Sequence, residues 1–244
     1  MLKKTHTAVH CHVLSATLIT PHMRRLVLGG PEINAWLATP EVHTPAAWVK
    51  VFPEGIKGRA YTIREIDLDR STITLDFVMH GHDQSEDTHS VSAWAKYCQA
   101  GDAVQIAGPR NGGFQLAEDT DWLWIGADLT ALPAAIRIIE SLPAHIQVAG
   151  LFIVDSLEDQ QEIHNQCKLR TRWRTLAVRP DLLAERNVLI KDIDTLKGNG
   201  QVWIAGEARW TQSWKQYWLT QKQLAANKVS SKGYWKLGEI DYRD

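Results

Sequence analysis

The chain has 244 residues, of which 44% are hydrophobic and 23% charged, close to the average composition of a soluble globular protein. Its 27 basic and 28 acidic residues give a formal net charge of -1, which excludes the strongly basic surface of a typical nucleic-acid-binding protein. Three widely spaced cysteines, Cys11, Cys98 and Cys167, predict reduced thiols rather than a disulfide framework or a zinc site. The amino-terminal residues lack the apolar stretch of a secretory signal, and no apolar run approaches the roughly 20 residues that span a bilayer. We therefore expect a cytoplasmic protein with no membrane partner.

The first half of the chain reads as short strands separated by turns. The predicted strands are residues 10–19, 23–28, 48–52, 60–64, 72–79 and 103–106. Strands of this length and spacing predict an antiparallel barrel. One helix, over residues 90–98, is predicted to interrupt it, because Ser90 is a good cap residue.

The second half changes to alternating apolar strands and amphipathic helices. Strands are predicted at residues 122–126, 145–154, 171–178 and 201–205, and helices at 132–141, 157–164 and 210–226. This alternation predicts a parallel sheet covered by helices, an α/β arrangement. The polar segment 117–121 predicts a division into domains 1–118 and 119–244. The chain's 11 tryptophans lie mostly on these elements and are interpreted as core aromatics.

The segment Arg59-Ala60-Tyr61-Thr62 has the residue types of a flavin site. Alternate side chains of a strand face the same way, so Arg59 and Tyr61 can offer a phosphate-binding fork and an aromatic face on one side. An ordinary strand with a surface arginine is the alternative interpretation. The start of the predicted helix, at Ser90, Val91 and Ser92, has unpaired backbone amides that suit a pyrophosphate.

Further segments extend this pattern along nearly the whole chain. They are residues 76–81 (DFVMHG), 92–95 (SAWA), 100–102 (AGD), 107–110 (AGPR) with Phe114, 126–134 (GADLTALPA), 203–208 (WIAGEA) and 233–235 (GYW). In this order they resemble the siderophore-interacting family of ferric-siderophore reductases, a branch of the ferredoxin-reductase superfamily. The resemblance implies an amino-terminal FAD-binding barrel, a nicotinamide-nucleotide-binding α/β domain, and electron transfer from NADPH or NADH through FAD to a ferric siderophore.

The resemblance also implies roles for individual residues. The residues expected to hold FAD are Arg59, Ala60, Tyr61 and Thr62, then Asp76, Phe77, Val78, His80 and Gly81, partly through backbone contacts, and Ser90, Val91 and Ser92 at the pyrophosphate. Asp128, Thr130 and Ala131 are expected near the nicotinamide, with Gly206 and Glu207 at the border of the same crevice. Tyr234 or Trp235 is expected to shield the flavin.

Several alternatives stay open on the sequence alone. His80, His82, Asp83, Asp87 and His89 have metal-ligating side chains, although their spacing matches no known local motif.

Lys50, Arg64, Lys232 and Lys236 are candidates to attract an anionic ferric chelate, or are ordinary surface charges. No Gly-x-Gly-x-x-Gly fingerprint of a dinucleotide-binding loop is present. The electron donor is NADH, NADPH or a ferredoxin. Arg209 and Lys215 favour the 2′-phosphate of NADPH, whereas the negative charge of Glu207 disfavours it. A nonspecific ferric chelate is the alternative acceptor, and a non-catalytic siderophore-binding protein is the alternative to an enzyme. A monomer is expected.

Overall fold

A computed structural model describes residues 8–79, 90–175, 193, 195–239 and 242. The chain divides into two compact units, Met1–Gly112 and Gly113–Asp244. The segment that follows Gly113 hydrogen-bonds within the second unit, where Ala117 N and Thr120 Oγ1 donate to Gln201 Oε1 at 2.8 and 2.7 Å. The division at residue 118 into separate domains stays a prediction.

The first unit is a closed six-stranded antiparallel barrel, as predicted. Its strands are β1 (Val9–Thr20), β2 (Met23–Gly29), β3 (Trp48–Phe52), β4 (Arg59–Asp67), β5 (Thr72–Val78) and β6 (Ala103–Arg110). They are joined in the order β1-β2-β5-β4-β3-β6. Along β1 the buried Val9, Cys11 and Val13 alternate with the exposed His10 and His12, which is the pattern of a strand with one face in a core.

Two α-helices accompany the barrel within its described residues, where the sequence predicts one. The predicted helix is α2 (Val91–Tyr97), and Ala93 N donates to the Oγ of the cap residue Ser90 at 3.1 Å. The additional helix is α1 (Pro31–Leu37), which buries Ile33, Trp36 and Leu37. Proline is favoured in a first helical turn, and the buried residues have helical spacing, but a seven-residue helix is too short to show a clear period.

The second unit contains a five-stranded parallel sheet in the order β11-β10-β7-β8-β9. Its strands are β7 (Trp122–Asp128), β8 (Gln147–Val154), β9 (Lys168–Thr175), β10 (Gly200–Glu207) and β11 (Val229–Trp235). Within the described residues, the helices with defined bounds in this unit are α3 (Leu132–Glu140) and α4 (Ala208–Thr220). The predicted α/β class is confirmed. Residues 176–178 of the third predicted strand lie outside the described residues.

Three elements of this unit differ from the prediction. The predicted helix 157–164 is only a 3₁₀ turn, Leu157–Asp159, because Leu157 is exposed and the segment has no apolar face to bury. The last helix ends at Thr220, and Gln223 has a positive φ of 52°. β11 was not predicted, since it is an edge strand in which only Val229 and Gly233 are buried.

Tryptophans form much of the core of this sheet, as predicted. Trp124 on β7 lies 4.8 Å from Trp214 and 5.4 Å from Trp218 of α4, measured between ring centroids. Trp122 lies 5.8 Å from Trp218. These side chains hold α4 against the sheet, and α4 begins at the end of β10 that carries the candidate site.

No helix in the described part of the chain has the length and apolar character needed to cross a membrane.

Candidate functional site

The segment 59–62 lies at the start of β4, as expected, next to β3. Tyr61 is half-buried, and its ring centroid is 4.1 Å from that of Phe77 on β5. Phe77 in turn lies 6.2 Å from Trp94 of α2 in an edge-to-face arrangement. Burial raises the pKa of Tyr61, and the charge of Arg59 opposes this shift. The structure thus places an aromatic row beside a cation at the barrel strand predicted to hold FAD.

The start of α2 offers two open backbone donors. Ser90 Oγ accepts the amide of Ala93 at 3.1 Å and lies 3.1 Å from Ser92 Oγ. The amides of Val91 and Ser92 precede the first intrahelical hydrogen bonds, and they have no acceptor within the described residues. Phosphate oxygens are suited to such a pair of donors, so the residues present fit the pyrophosphate of FAD.

Asp76 is buried, and Arg25 satisfies its carboxylate. The guanidinium donates from Nε to Oδ1 at 2.7 Å and from a terminal nitrogen to Oδ2 at 2.8 Å. Arg25 lies directly opposite Asp76 in the pairing of β2 with β5. The Asp76 side chain therefore joins two strands, which leaves its backbone for the expected flavin contact. Val78 is half-buried at the end of β5, and Thr62 is buried.

Two of the expected flavin residues, His80 and Gly81, lie outside the described residues. The alternative metal site lies there too, since all of its residues fall between 80 and 89. Within the residues that the structure describes, no group of three or more His, Cys, Asp or Glu side chains could hold a metal ion.

The second site is built around the carboxylate of Asp128, at the carboxyl end of β7. Oδ1 accepts hydrogen bonds from Thr130 N at 2.9 Å, Thr130 Oγ1 at 2.6 Å and Ala131 N at 3.3 Å. Oδ2 accepts from Glu207 N at 2.7 Å and Trp235 Nε1 at 2.8 Å. One buried side chain therefore connects the ends of three strands, β7, β10 and β11. Burial raises the pKa of Asp128, and the hydrogen bonds oppose that shift.

Gly206 makes the close approach of β10 to Asp128 possible. Its φ is +139°, and a Cβ at this position would lie 2.5 Å from the Asp128 carboxylate. The next residue, Glu207, caps α4 by accepting the amide of Trp210 at 2.8 Å through Oε2. Its Oε1 accepts the amide of Leu237 at 3.3 Å. Both residues lie beside Asp128, and their role at the border of a nucleotide crevice stays a prediction.

The sheet order explains why these residues meet. The chain passes from β7 to β8 and β9 on one side and returns to β10 and β11 on the other. Ligands of open α/β sheets bind at the carboxyl ends of the strands where the order reverses, here between β7 and β10. The link from Trp235 to Asp128 is not predictable from local sequence, since it requires β11, whose only signal is the Gly-Tyr-Trp segment after a polar stretch.

The candidate basic residues lie on several elements. Lys50 and Arg64 are half-buried on β3 and β4 of the barrel. Lys232 is half-buried on β11, and Lys236 forms an ion pair with Glu239 and lies 5.8 Å from the ring centroid of Tyr242. Tyr234 is half-buried on β11. A role of the four basic residues in binding substrate stays a prediction, and so does a role of Tyr234 in shielding the flavin.

An open groove of about 610 Å³ runs beside α4 in the second unit. Arg209 and Lys215, the two residues considered for a 2′-phosphate, both line it, together with Lys236 and Tyr242. Tyr242 was not anticipated, and it packs against Gly233, where a Cβ would lie 2.8 Å from its ring.

Comparison with known proteins agrees with this architecture. Residues 120–238 match the family described as "Siderophore-interacting protein", and residues 39–113 match the "Siderophore-interacting FAD-binding domain". Ferric vibriobactin reductase ViuB of Vibrio cholerae is 28% identical over 185 residues, covering 74% of this chain and 65% of that protein. Ferric acinetobactin reductase of Acinetobacter baumannii is 27% identical over 190 residues, covering 76% of this chain and 63% of that protein. The chain thus spans somewhat less than two thirds of these relatives.

Solved structures share the fold over nearly the whole chain. A siderophore utilization protein from T. fusca is 25% identical with a TM-score of 0.78, covering 97% of this chain and 95% of that one. A ferredoxin reductase of carbazole 1,9a-dioxygenase, 13% identical, has a TM-score of 0.72 and covers 96% of this chain and 70% of that one, which shows a shared fold alone. The chain belongs to the siderophore-interacting protein family, and its barrel carries that family's FAD-binding domain.

Proposed function

We propose that the protein is an FAD-dependent reductase that transfers electrons from NADH or NADPH to Fe(III) held by a siderophore, so that Fe(II) is released. One observation carries the proposal: the chain combines a family FAD-binding barrel with a parallel sheet whose reversal point is assembled by Asp128, Gly206 and Trp235. The relatives named ferric vibriobactin reductase and ferric acinetobactin reductase support the acceptor.

The barrel residues would bind and orient the flavin. Arg59 would contact a phosphate, Tyr61 and Thr62 the ring, and the amides of Val91 and Ser92 the pyrophosphate. When bound, FAD supplies the chemistry that accepts two electrons as a hydride and releases them singly. The hydrogen-bonded pair of Arg25 and Asp76 would keep β5 in place beside this site.

The second unit would bind the nicotinamide nucleotide at the reversal point of its sheet. All five hydrogen bonds to the Asp128 carboxylate come from the protein, so this side chain would shape the crevice rather than contact the nucleotide with a free oxygen. Thr130 and the backbone of Gly206 would form its walls.

The ferric siderophore would be the substrate, and an anionic chelate would be attracted by Lys50, Arg64, Lys232 and Lys236. Hard oxygen donors prefer Fe(III), so reduction to Fe(II) weakens the chelate and releases the metal. The chain needs no acid or base for this electron transfer; its residues orient the partners.

The test is steady-state kinetics with the purified protein. We expect a yellow protein that oxidises NADH or NADPH faster when a ferric catecholate or hydroxamate siderophore is added, and reduced ferredoxin as donor serves as the comparison. A protein that takes up no FAD would contradict the proposal, as would nucleotide oxidation that ferric siderophores leave unchanged.

A further inference from the structure

Two carboxylates, Asp128 and Glu207, stand at the reversal point of the parallel sheet. Within the part of the chain that the structure describes, no Lys, Arg or His nitrogen forms an ion pair with either side chain. Asp128 is only 7% exposed and Glu207 is half-buried. Two acidic side chains therefore lie close together where an α/β sheet of this order binds its ligand.

The contacts of Asp128 favour its ionised form. All five are hydrogen-bond donors, three to Oδ1 and two to Oδ2. A protonated carboxyl would need an acceptor for its own hydrogen, and of these five groups only the Thr130 hydroxyl can accept, since the three amides and the indole N–H can only donate. Hydrogen bonds of this kind stabilise a carboxylate even when burial opposes its charge.

The proposed reaction changes the charge of the nicotinamide ring. The dihydronicotinamide ring is neutral, and a hydride, which is one proton with two electrons, leaves its C4 carbon for the flavin acceptor. The C–H bond breaks with both electrons, so the ring is left as a pyridinium cation. A fixed negative charge nearby stabilises the positive charge as it develops and accelerates the transfer.

We infer that Asp128, assisted by Glu207, is a buried charge that favours the oxidised, cationic nicotinamide over the reduced, neutral one. This inference rests on the proposed function, since it requires a nicotinamide nucleotide at the reversal point. The five hydrogen bonds hold the carboxylate in place, so the field at the crevice is already oriented before the nucleotide arrives. Asp128 would therefore act on the nicotinamide ring through its electric field and without direct contact, which makes it a positioning residue and not a catalytic one.

The test compares the affinities of two ligands that differ in ring charge. Calorimetric titration of the holoenzyme with NAD⁺, and with tetrahydronicotinamide adenine dinucleotide, whose neutral ring cannot donate a hydride, gives the ratio of the two dissociation constants. The phosphorylated pair replaces these ligands if the protein prefers NADPH. Structural damage that weakens the binding of both ligands equally leaves this ratio unchanged.

In Asp128→Asn we expect the preference for the cationic ligand to fall about tenfold, as for loss of one charge at intermediate distance and dielectric. Glu207→Gln keeps a carbonyl oxygen to cap α4 and should lower the preference about threefold. The matched control is Glu118→Gln, which should leave the ratio unchanged. Glu118 is exposed and precedes the amino end of β7, and the length of this strand, roughly 20 Å, separates that end from Asp128.

An equal ratio in the parent and in folded Glu207→Gln and Asp128→Asn proteins would overturn the inference and leave the proposed reductase intact. If Asp128→Asn does not fold, an unchanged ratio in Glu207→Gln alone overturns it. A parent protein that binds neither ligand would overturn the inference together with the nucleotide half of the proposed function.

Discussion

Asp76 and Asp128 are both buried carboxylates, and each is satisfied in a different way. Asp76 has a cationic partner, because the Arg25 guanidinium donates two hydrogen bonds to it. Among the described residues, Asp128 accepts hydrogen bonds from five donors, all of them neutral. The ion pair of Arg25 with Asp76 joins two strands of the barrel and has no net charge. Neutral donors cannot cancel the negative charge of an ionised Asp128. The first arrangement serves stability, and the second suits a binding site.

Removing the cation from the first pair should destabilise the barrel. Arg25→Met leaves a buried, uncompensated carboxylate, and because the arginine is 28% exposed we expect a loss of about 2 kcal/mol in the free energy of unfolding. Urea denaturation measures this loss. The control is Arg70→Met, whose ion pair with Asp67 spans 3.8 Å with the arginine 83% exposed and should matter little. Equal midpoints for the two variants would contradict this account of Asp76.

The cysteines give a residue-scale prediction about reactivity. Cys11, Cys98 and Cys167 are all buried free thiols. Burial, with a smaller effect from Glu32, raises the pKa of Cys11 to about 12, so almost none of it is thiolate at neutral pH. Iodoacetamide at pH ~8 should therefore label Cys11 slowly in the native protein and rapidly in urea, as followed by mass spectrometry. Labelling of native Cys11 at the rate of an unfolded thiol would rule out the buried position.

At the scale of elements, the ends of β7, β10 and β11 depend on one close approach, that of Gly206 to Asp128. Gly206→Ala would combine an unfavourable φ of +139° with a Cβ only 2.5 Å from the carboxylate. Each such strain costs on the order of 1–3 kcal/mol, so we expect a drop in thermal stability and weaker nucleotide binding.

Gly55→Ala is the matched control for this substitution. Gly55 also has a positive φ, 70°, but nothing lies within 4 Å of its Cβ position. It carries only the backbone cost, roughly 1 kcal/mol. If Gly206→Ala were no more harmful than Gly55→Ala, the contact with Asp128 would not constrain β10.

The sequence predicts strongly patterned elements and misses weakly patterned ones. All six barrel strands and four of the sheet strands have apolar runs or alternation that reveal them. β11 has only two buried residues, since an edge strand is supported from one side, and α1 is too short to show a helical period. The helix predicted at 157–164 is only the 3₁₀ turn Leu157–Asp159, although Ser156 and Asp159 form a capping box, because Leu157 is exposed and the segment has no apolar face to bury.

At the scale of the whole molecule, the order of two modules, barrel then parallel sheet, is predictable from the sequence, and the candidate site is predictable only in part. Asp128, Thr130, Gly206 and Glu207 could be placed at one sheet edge because they follow predicted strands. The bond from Trp235 to Asp128 joins residues 107 positions apart, and no local pattern reports such a contact. The ion pair of Arg25 with Asp76 is equally unpredictable from local sequence, because it requires that β2 and β5 are neighbours in the barrel.

The most direct test of the whole account is the appearance of Fe(II) under anaerobic conditions. Purified protein is mixed with a ferric siderophore, NADH or NADPH, and a coloured Fe(II) chelator, and both Fe(II) and nucleotide are followed by absorbance. We predict that Fe(II) forms only when all components are present, with two Fe(II) for each nucleotide oxidised, because a hydride carries two electrons and each iron accepts one. Nucleotide oxidation without Fe(II), or Fe(II) formation at the rate seen without protein, would contradict the account.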